Sequence, residues 1–361
     1  MTGDTGFKGS WLCEWLIDEK AEVFGVGLSP NTNPSLFEQL NLEDRINHVE
    51  LDIRNSAAVR NHLQKVAPDI VIHMAAQPLV RLSYEQPVET YETNFMGTVH
   101  VLDAIREYSI RTNNPLAAVM ITTDKCYDNK EWLHSYREED SLGGYDPYSS
   151  SKGACELVIQ SYRNSYFPSP LDRGVALASA RAGNVIGGGD WALDRIIPDC
   201  VKALRTGQKI PVRNKVATRP WQHVLEPLGG YLLLAAELWR GLNRENKLQA
   251  NFGLDSLCSA FNFGPSLQSN QTVMSLVEEV LKHWSGDWMD QSDPNAVHEA
   301  SLLNLATDKA YHVLNWQPKW DFFETVKQTI DWYYKEHNSD FDAEAFTLSQ
   351  IKEYITSENI E

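Results

Sequence analysis

The sequence predicts an α/β protein with a doubly wound parallel sheet and a smaller, partly discontinuous C-terminal lobe. Through the first half of the chain, β-rich runs alternate with helical patterns, which is typical of parallel strands joined by helices on both sheet faces. A glycine-rich turn opens the chain, and after about residue 185 the alternation becomes irregular. The 361 residues suffice for one large core and one smaller lobe.

The individual elements follow in chain order from the spacing of apolar residues. Apolar residues three and four positions apart indicate helices, and short apolar runs bounded by turn residues indicate buried strands. The pattern predicts strands over 21–28, 68–74 and 116–123 and helices over 10–17, 55–66, 93–108 and 149–163. We expect 1–184 to form the first domain with 222–260 returning to it, and 185–221 and 261–361 to form the lobe.

Three glycines, Gly3, Gly6 and Gly9, lie directly before the first predicted helix. Glycines at this spacing let backbone N–H groups approach a pyrophosphate at a helix N-terminus, where the dipole favours anions. A purely structural turn can mimic the pattern, but the helix and strand that follow favour dinucleotide binding. Only Met1 and Thr2 precede the motif, which needs a strand before it. We therefore expect about five to eight further residues, rich in Val, Ile or Phe, to be encoded upstream of Met1.

The type of dinucleotide depends on the end of the strand after the glycines. An acidic residue there usually holds the ribose hydroxyls of NAD. This chain has Ser29 at that place, which can bind a hydroxyl but repels a 2′-phosphate only weakly. No arginine stands nearby in the sequence to bind that phosphate, so NAD is favoured over NADP.

Tyr148 and Lys152 are spaced i and i+4 on a predicted helix, so their side chains are neighbours on one face. A nearby ammonium and a cationic nicotinamide would both lower the pKa of the phenol from its reference value near 10. Tyr148 would then act as a base at neutral pH. The alternative is a surface Tyr–Lys pair.

The third predicted strand ends in Thr123, Asp124 and Lys125. Ligands of open α/β sheets bind at the carboxyl ends of the strands, so these side chains are expected to face a cofactor cleft. Together they supply a proton donor and a proton acceptor. The alternative is a helix-capping aspartate followed by a solvated lysine.

Composition excludes several classes of protein. Lys and Arg number 32 against 49 Asp and Glu, giving a net charge of −17 that disfavours nucleic acids and anionic membranes as partners. The five cysteines are widely scattered without a C-x-x-C pair, which argues against a zinc or dithiol site and fits reduced thiols in a cytosol. No apolar run approaches membrane-spanning length and no signal peptide is evident, so we expect a cytoplasmic protein, and we predict no metal.

Several segments taken together resemble the extended short-chain dehydrogenase/reductase superfamily. They are residues 2–9, residues 73–81, the Thr-Asp-Lys strand end and the Tyr-Ser-Ser-Ser-Lys motif. Within the superfamily, 181–191 and 219–224 are similar to the CDP-glucose 4,6-dehydratase family, and the resemblance runs from residue 2 to about 335. It implies an NAD-binding Rossmann domain with a nucleotide-sugar lobe, and departs from the family at the missing first strand and at Ser29.

The resemblance also implies roles for particular residues. Implied cofactor-binding residues are Gly3, Thr5, Gly6, Phe7, Gly9, Asp52, Ile53, Ala75, Ala76, Gln77, Asn94, Tyr148 and Lys152. Implied substrate-binding residues are Arg181, Asn184, Arg219 and His223. Each of the two arginines can clamp a diphosphate through paired hydrogen bonds, the alternative being a salt bridge at the surface.

The implied reaction removes water from CDP-glucose, in the route to 3,6-dideoxyhexoses of surface polysaccharides. Tyr148, with Lys152 and Thr123, would serve oxidation at C4; Asp124 and Lys125 would then act as acid and base across C5 and C6, in an order left open. Two alternatives remain: a nucleotide-sugar 4-epimerase, which needs no second acid–base pair, and a silent dinucleotide-binding regulatory module. The resemblance further implies a symmetric dimer through the helices near 93–108 and 149–163.

Overall fold

The computed structural model describes residues 1–244, 250, 252–292 and 302–359. The strands are β1 (Phe24–Gly27), β2 (Asn47–Glu50), β3 (Ile70–His73), β4 (Leu116–Ile121), β5 (Val175–Arg181), β6 (Val185–Ile186), β7 (Ile210–Val212), β8 (Thr218–Pro220), β9 (Gln222–His223), β10 (Ala260–Asn262), β11 (Asn270–Thr272) and β12 (Trp288–Asp290).

The helices lie between and after these strands. They are α1 (Phe7–Asp18), α2 (Leu36–Gln39), α3 (Ser56–Val66), α4 (Val80–Glu85), α5 (Pro87–Tyr91), α6 (Gly97–Thr112), α7 (Pro147–Tyr166), α8 (Pro170–Arg173), α9 (Ile196–Arg205), α10 (Leu225–Leu242), α11 (Leu254–Leu257), α12 (Val273–His283), α13 (Asp308–Leu314), α14 (Phe322–Asn338) and α15 (Ala343–Thr356). A π-helical turn, Glu92–Met96, leads directly into α6. Each predicted helix and strand is present, with its ends shifted by a few residues.

A parallel sheet forms the centre of the molecule. Four strands pair in the order β10–β5–β4–β3, and β1 pairs with β2 beside them. Thr2 joins the two groups because it forms parallel bridges with Val26 of β1 and with His73 of β3. The resulting order is β2–β1–Thr2–β3–β4–β5–β10, and the predicted parallel sheet is confirmed.

Apolar side chains cover the sheet on both faces. In β4 alternate residues point to opposite sides: Ala117 and Val119 belong to a core built with α1 and α10, whereas Ala118 and Met120 belong to a core built with α3, α6 and α7. This alternation follows from the two-residue period of a strand. Helices therefore lie on both faces, which is the predicted doubly wound arrangement.

A cavity of about 730 Å³ lies between β1 and β3 beside Met1. Apolar side chains of both strands line it, including Val26 and Ile72. The backbone of Thr2 bridges the strands at one end of this gap, and the α-amino group of Met1 donates to the carbonyl of Phe24 at 2.6 Å. The expectation of further residues upstream of Met1 remains a prediction.

The predicted lobe boundary at residue 261 is wrong, because it divides β10, which adds to the edge of the main sheet beside β5. The C-terminal helices also return to the first domain, since α15 packs on α1, where the rings of Trp15 and Tyr354 lie 5.8 Å apart. Covering the tryptophans of α1 is a long-range requirement that no local pattern in the sequence indicates. The helix α10 lies against β4 and β5, as expected for a segment that returns to the sheet.

Smaller strand pairs build the remainder of the described chain. β7 pairs with β12, β8 pairs with β11, and β6 pairs with β9. No helix in the described part of the chain combines the length and the apolar character needed to cross a membrane.

Candidate active site

The glycine turn forms a tight cradle at the N-terminus of α1. Gly3 has a φ of +79°, and a Cβ placed on it would lie 2.7 Å from the backbone nitrogen of Ala75. A Cβ on Gly9 would overlap the carbonyl oxygen of Gly3. Gly6 is the extended N-cap residue of α1, and no side chain caps the helix, which begins at Phe7. A pyrophosphate fits this site because the unpaired N–H groups and the helix dipole both favour an anion.

The hydroxyl of Thr2 holds the neighbouring loop against this cradle. Its oxygen accepts the backbone N–H groups of Met74 and Ala75 at 3.2 and 3.1 Å, and lies 2.7 Å from Nδ1 of His73. The loop after β3, which carries Ala75, Ala76 and Gln77, therefore runs beside the glycine turn. Both loops can face one extended cofactor.

Asn94 links that loop to α7. Its Oδ1 accepts the N–H of Gln77 at 2.8 Å, and its Nδ2 donates to Oγ of Ser151 at 2.9 Å. Asn94 is fully buried with its amide engaged by protein groups. Asn94 therefore positions the loop that carries Gln77, and its own predicted contact with the cofactor stays a prediction.

Two further predicted cofactor residues lie just after β2. The carboxylate of Asp52 pairs with Arg54, with 2.6 Å between Oδ2 and Nη2. Ile53 is buried under Gly97, the first residue of α6. The predicted cofactor contacts of Asp52 and Ile53 stay predictions. The same holds for Thr5, whose hydroxyl donates to the carbonyl of Leu28 at 2.8 Å.

The structure brings the predicted catalytic residues together at the carboxyl end of β4. Thr123 caps a 3₁₀ turn over Asp124–Cys126, and its hydroxyl donates to Oδ1 of Asp124 at 2.9 Å. Tyr148, in the first turn of α7, lies beside Thr123, near enough for the threonine hydroxyl to act on the phenol. Lys152 follows one turn later, and Lys125, which is half-buried, directly follows Asp124.

Asp124 is buried between this turn and the segment after β5. Nδ2 of Asn184 lies 3.4 Å from its Oδ2, and any Cβ on Gly183 would overlap its carboxylate. A buried carboxylate, a phenol and two hydrogen-bonding groups therefore lie close together, and Lys125 follows the carboxylate in the chain. Such a set can move protons at more than one position of a bound sugar.

The expected low pKa of Tyr148 is not provided by the residues of the chain. Burial raises the pKa of Tyr148 well above its usual value, and the neighbouring Thr123 hydroxyl, which acts in the opposite direction, does not offset it. Burial also lowers the pKa of Lys152. The sequence argument counted the charge of the neighbouring ammonium but could not count the loss of water around the phenol.

Three residues near the site were missed by sequence reasoning. Nζ of Lys8 lies 5.7 Å from the ring centre of Tyr231, and burial together with the charges of Lys152 and Arg195 lowers the pKa of Lys8 to about 8. The hydroxyl of Tyr231 has no hydrogen-bond partner among the described residues. Lys8 lies inside the glycine motif and could have been noticed there, whereas Tyr231 and Arg195 come from distant segments.

The structure corrects the prediction that Arg181 clamps a diphosphate. Its Nη2 pairs with Oε2 of Glu156 at 2.8 Å, and its Nη1 donates to the hydroxyl of Tyr127 at 2.7 Å. Both charges of the pair are buried. The sequence motif identified Arg181 as a possible diphosphate ligand. It could not show that α7 places the carboxylate of Glu156 against this guanidinium group.

The carboxylate of Glu156 accepts hydrogen bonds from three side chains. Besides Arg181, the hydroxyls of Thr122 and Ser179 donate to it at 2.5 and 2.9 Å. Burial opposes its ionisation, but Arg181 and the two hydroxyls outweigh burial and hold the pKa of this carboxyl below its usual value. The group therefore fixes β4, β5 and α7 relative to one another.

His223 is also placed differently from the prediction. It is fully buried, with its ring centre 5.7 Å from that of Trp11 and 4.8 Å from that of Trp320. A side chain enclosed by two tryptophans packs the core and does not contact a substrate. Arg219 lies on β8 and donates to the carbonyl of Thr218 at 2.8 Å, so its predicted role stays a prediction.

The fold and the site define an enzyme of the extended short-chain dehydrogenase/reductase class, as the sequence motifs predicted. The family model described as GDP-mannose 4,6 dehydratase matches residues 1–329, and the chain belongs to this family. A curated relative named CDP-glucose 4,6-dehydratase, from Salmonella typhimurium, is 47% identical over 92% of this chain and 89% of its own length.

Solved structures agree with the fold. A dTDP-glucose 4,6-dehydratase from Streptomyces venezuelae, solved with NAD and TYD bound, superposes with a TM-score of 0.74 at 22% identity, covering 92% of this chain and 96% of that one. A UDP-glucose 4-epimerase from Thermotoga maritima also gives a TM-score of 0.74, at 19% identity over 93% and 98% of the two chains. Dehydratases and epimerases therefore share this fold, and the site must distinguish them.

Buried neutral histidine predicts a loss of stability in acid. Burial lowers the pKa of His223 from its usual value of about 6.5 to about 3, so the imidazole takes up a proton in the unfolded chain at a higher pH than in the folded protein. The contribution of the neutral His223 to the free energy of unfolding is therefore complete above about pH 6.5 and declines as the pH falls toward about 3. Replacing His223 by Asn should reduce the slope of the unfolding free energy by about 1.4 kcal/mol per pH unit between about pH 6 and 4, measured by urea titration.

The exposed His134 provides the control, since His134→Asn should leave that slope unchanged. The slope is the readout, so a variant that is less stable at neutral pH still tests the prediction. An unchanged slope in His223→Asn would show that His223 does not resist protonation in the folded protein.

Proposed function

We propose that the protein dehydrates CDP-glucose to CDP-4-dehydro-6-deoxyglucose, with NAD regenerated in each turnover. The observation that carries the reaction type is the Asp124–Cys126 turn, which sets a carboxylate and an amine beside the Thr123–Tyr148 pair. The 47% identity to a relative named CDP-glucose 4,6-dehydratase supports the substrate.

The glycine cradle and the loop after β3 are suited to hold NAD. The uncapped N-terminus of α1 faces the position of a pyrophosphate, and Thr2 keeps the second loop alongside. When bound, NAD supplies the acceptor for a hydride from C4 of the sugar and the donor of that hydride to C6.

Tyr148 takes the proton of the C4 hydroxyl, and Thr123, which lies beside the phenol, holds the same oxygen. Burial of both side chains excludes water from this proton transfer. Lys152 lies one turn further along α7, where its ammonium group can favour the ionised form of the phenol.

The second stage uses Asp124 and Lys125. A ketone at C4 makes the C5 proton acidic, so one of the two groups removes it while the other protonates the departing C6 hydroxyl, and water is released. When the hydride is returned to C6, the group that took the C5 proton gives a proton back to C5, which leaves the C4 ketone of the product. Asp124 is fixed for this step by hydrogen bonds with Thr123 and Asn184. Lys125 is only half-buried and keeps the freedom to reach the sugar.

The two alternatives fit less well. A 4-epimerase uses the tyrosine and lysine of α7 but needs no acid–base pair for C5 and C6. A silent regulatory module needs neither pair, yet Tyr148, Thr123 and Asp124 are assembled with hydrogen bonds in one buried site.

We also place this reaction in a reducing cytosol, upstream of the enzymes that convert a 4-keto-6-deoxy sugar to dideoxyhexoses for surface polysaccharides. All five cysteines are unpaired and buried, which is consistent with a reducing compartment.

Incubation with CDP-glucose and NAD tests the proposed function. A 4-keto-6-deoxy product should form, detected by its absorbance in alkali and by a mass that is lower than that of the substrate by one water molecule. The same assay with UDP-glucose measures preference for the base. Formation of a C4 epimer without loss of water would favour the epimerase alternative.

Lys125 should matter for elimination and not for oxidation. Replacing Lys125 by Met keeps the stem of the side chain but removes its proton chemistry, so turnover should fall by about 10² to 10⁴. Quenching with borodeuteride should then trap a C4 ketone that still carries its C6 hydroxyl, seen by mass spectrometry as deuterium at C4. Tyr148→Phe should give neither product nor trapped ketone.

Lys130→Met is the matched control, because Lys130 is largely exposed and pairs with Asp128. It should turn over like the wild type. Wild-type speed in Lys125→Met, or slow turnover without trapped ketone, contradicts the role assigned to Lys125.

We propose a symmetric dimer formed through α6 and α7. Apolar side chains lie exposed on both helices: Ile110 of α6 is 69% exposed and Leu157 of α7 is 57% exposed. An exposed apolar surface of this kind is typical of an interface, and two-fold symmetry is the commonest arrangement.

Light scattering on a sizing column measures the assembly. The wild type should elute as a dimer at micromolar concentration, and Leu157→Lys should shift it toward the monomer because a charge would be buried. Val216→Lys, at a 73% exposed position outside these helices, should leave the dimer intact. A wild-type monomer at that concentration contradicts the proposal.

A further inference from the structure

The end of β1 carries no acidic residue, but the structure supplies one from the neighbouring strand. Ser29 Oγ donates to Oε2 of Glu50 at 3.1 Å. Glu50 is the last residue of β2 and stands opposite Gly27, the last residue of β1. Both Ser29 and Glu50 are exposed to solvent at the carboxyl ends of these two strands.

This pair lies at the edge of the glycine cradle. The hydroxyl of Thr5, within the cradle, donates to the carbonyl of Leu28, the residue before Ser29. A Cβ on Gly27 would lie 2.8 Å from that hydroxyl oxygen. In this class of fold the adenosine ribose lies between the glycine turn and the end of the following strand. The carboxylate of Glu50 therefore stands where ribose hydroxyls are bound.

The charges around this edge oppose a 2′-phosphate. Arg54, which follows β2, donates from Nε and Nη2 to Asp52 and from Nη1 to Glu89, so two carboxylates already engage it. On the other side, the fully buried Asp4 pairs through Oδ2 with Nδ1 of His48 at 2.6 Å, while its Oδ1 lies against Gly27 without a hydrogen-bond partner among the described residues. Carboxylates thus stand on both sides of this edge.

We propose that Glu50 is the residue that selects NAD over NADP in this chain. Its carboxylate accepts a hydrogen bond from the ribose 2′-hydroxyl and repels a 2′-phosphate, while Ser29 holds the carboxylate in place. The acidic group comes from β2 and not from the end of β1, where a sequence search would look for it. The inference rests on the NAD dependence of the proposed function.

Direct binding tests this assignment without turnover. Calorimetric titration of the full chain with NAD⁺ and with NADP⁺ gives two dissociation constants for each variant. Glu50→Gln keeps the shape of the side chain but removes its charge, so NAD⁺ should bind about tenfold more weakly. The preference for NAD⁺ over NADP⁺ should fall by a factor of about ten or more, because the repulsion of the phosphate is lost as well.

Salt gives an independent readout. Raising the ionic strength should weaken the wild-type discrimination against NADP⁺, because exposed charges are screened, and should weaken that of Glu50→Gln by a smaller factor. Adding Ser29→Asp to Glu50→Gln restores a carboxylate at the end of β1 and should recover the preference for NAD⁺. Glu22→Gln, an exposed position before β1, is the matched control and should bind both dinucleotides like the wild type.

The outcomes separate this inference from the proposed function. If the wild type binds NAD⁺ and Glu50→Gln keeps the same preference, Glu50 is not the selecting residue, and the proposed function stands. If the wild type binds neither dinucleotide, the proposed function and this inference both fail.

Discussion

The carboxylate of Glu156 is the constraint on which the geometry of the site depends. It lies between β4, β5 and α7 and accepts hydrogen bonds from Thr122, Ser179 and Arg181. An ionised carboxylate without water is strongly unfavourable unless every donor is in place. The three elements can therefore adopt only the arrangement that supplies all three donors. Since Glu156 is one turn beyond Lys152, that arrangement also fixes α7 against the end of β4.

A second set of hydrogen bonds ties the cofactor loops to the same helix. It runs from Thr2 to the loop after β3, then from Gln77 through Asn94 to Ser151 of α7. The glycine cradle and Tyr148 are thus positioned by one continuous network. Pre-organisation of this kind allows a single cofactor to serve an oxidation and a later reduction on the same sugar.

Much of the fold could be predicted because its signals are local. Apolar spacing located the helices and strands, and the end of β4 identified Thr123, Asp124 and Lys125 as neighbours of Tyr148. What the motifs could not show is the environment of a side chain, since burial depends on segments far apart in sequence. Arg181 was therefore expected at a diphosphate although it is buried in an ion pair.

The missed groups have the same origin. The phenol of Tyr231 comes to the site from α10, and the carboxylate of Glu50 reaches Ser29 only because β1 and β2 pair in register. The lobe boundary was misplaced because β10 pairs with β5 across a long stretch of chain. Each of these contacts is non-local, and a single sequence carries no direct record of it.

We propose that one buried site carries out oxidation, elimination and reduction on a single sugar. Turnover of CDP-glucose deuterated at C4, in ordinary water, tests this proposal. The deuterium should be recovered at C6 of the same product molecule, and mixing labelled with unlabelled substrate should give no exchange between molecules. A product whose C6 carries only solvent hydrogen, or a label scrambled between molecules, would contradict it.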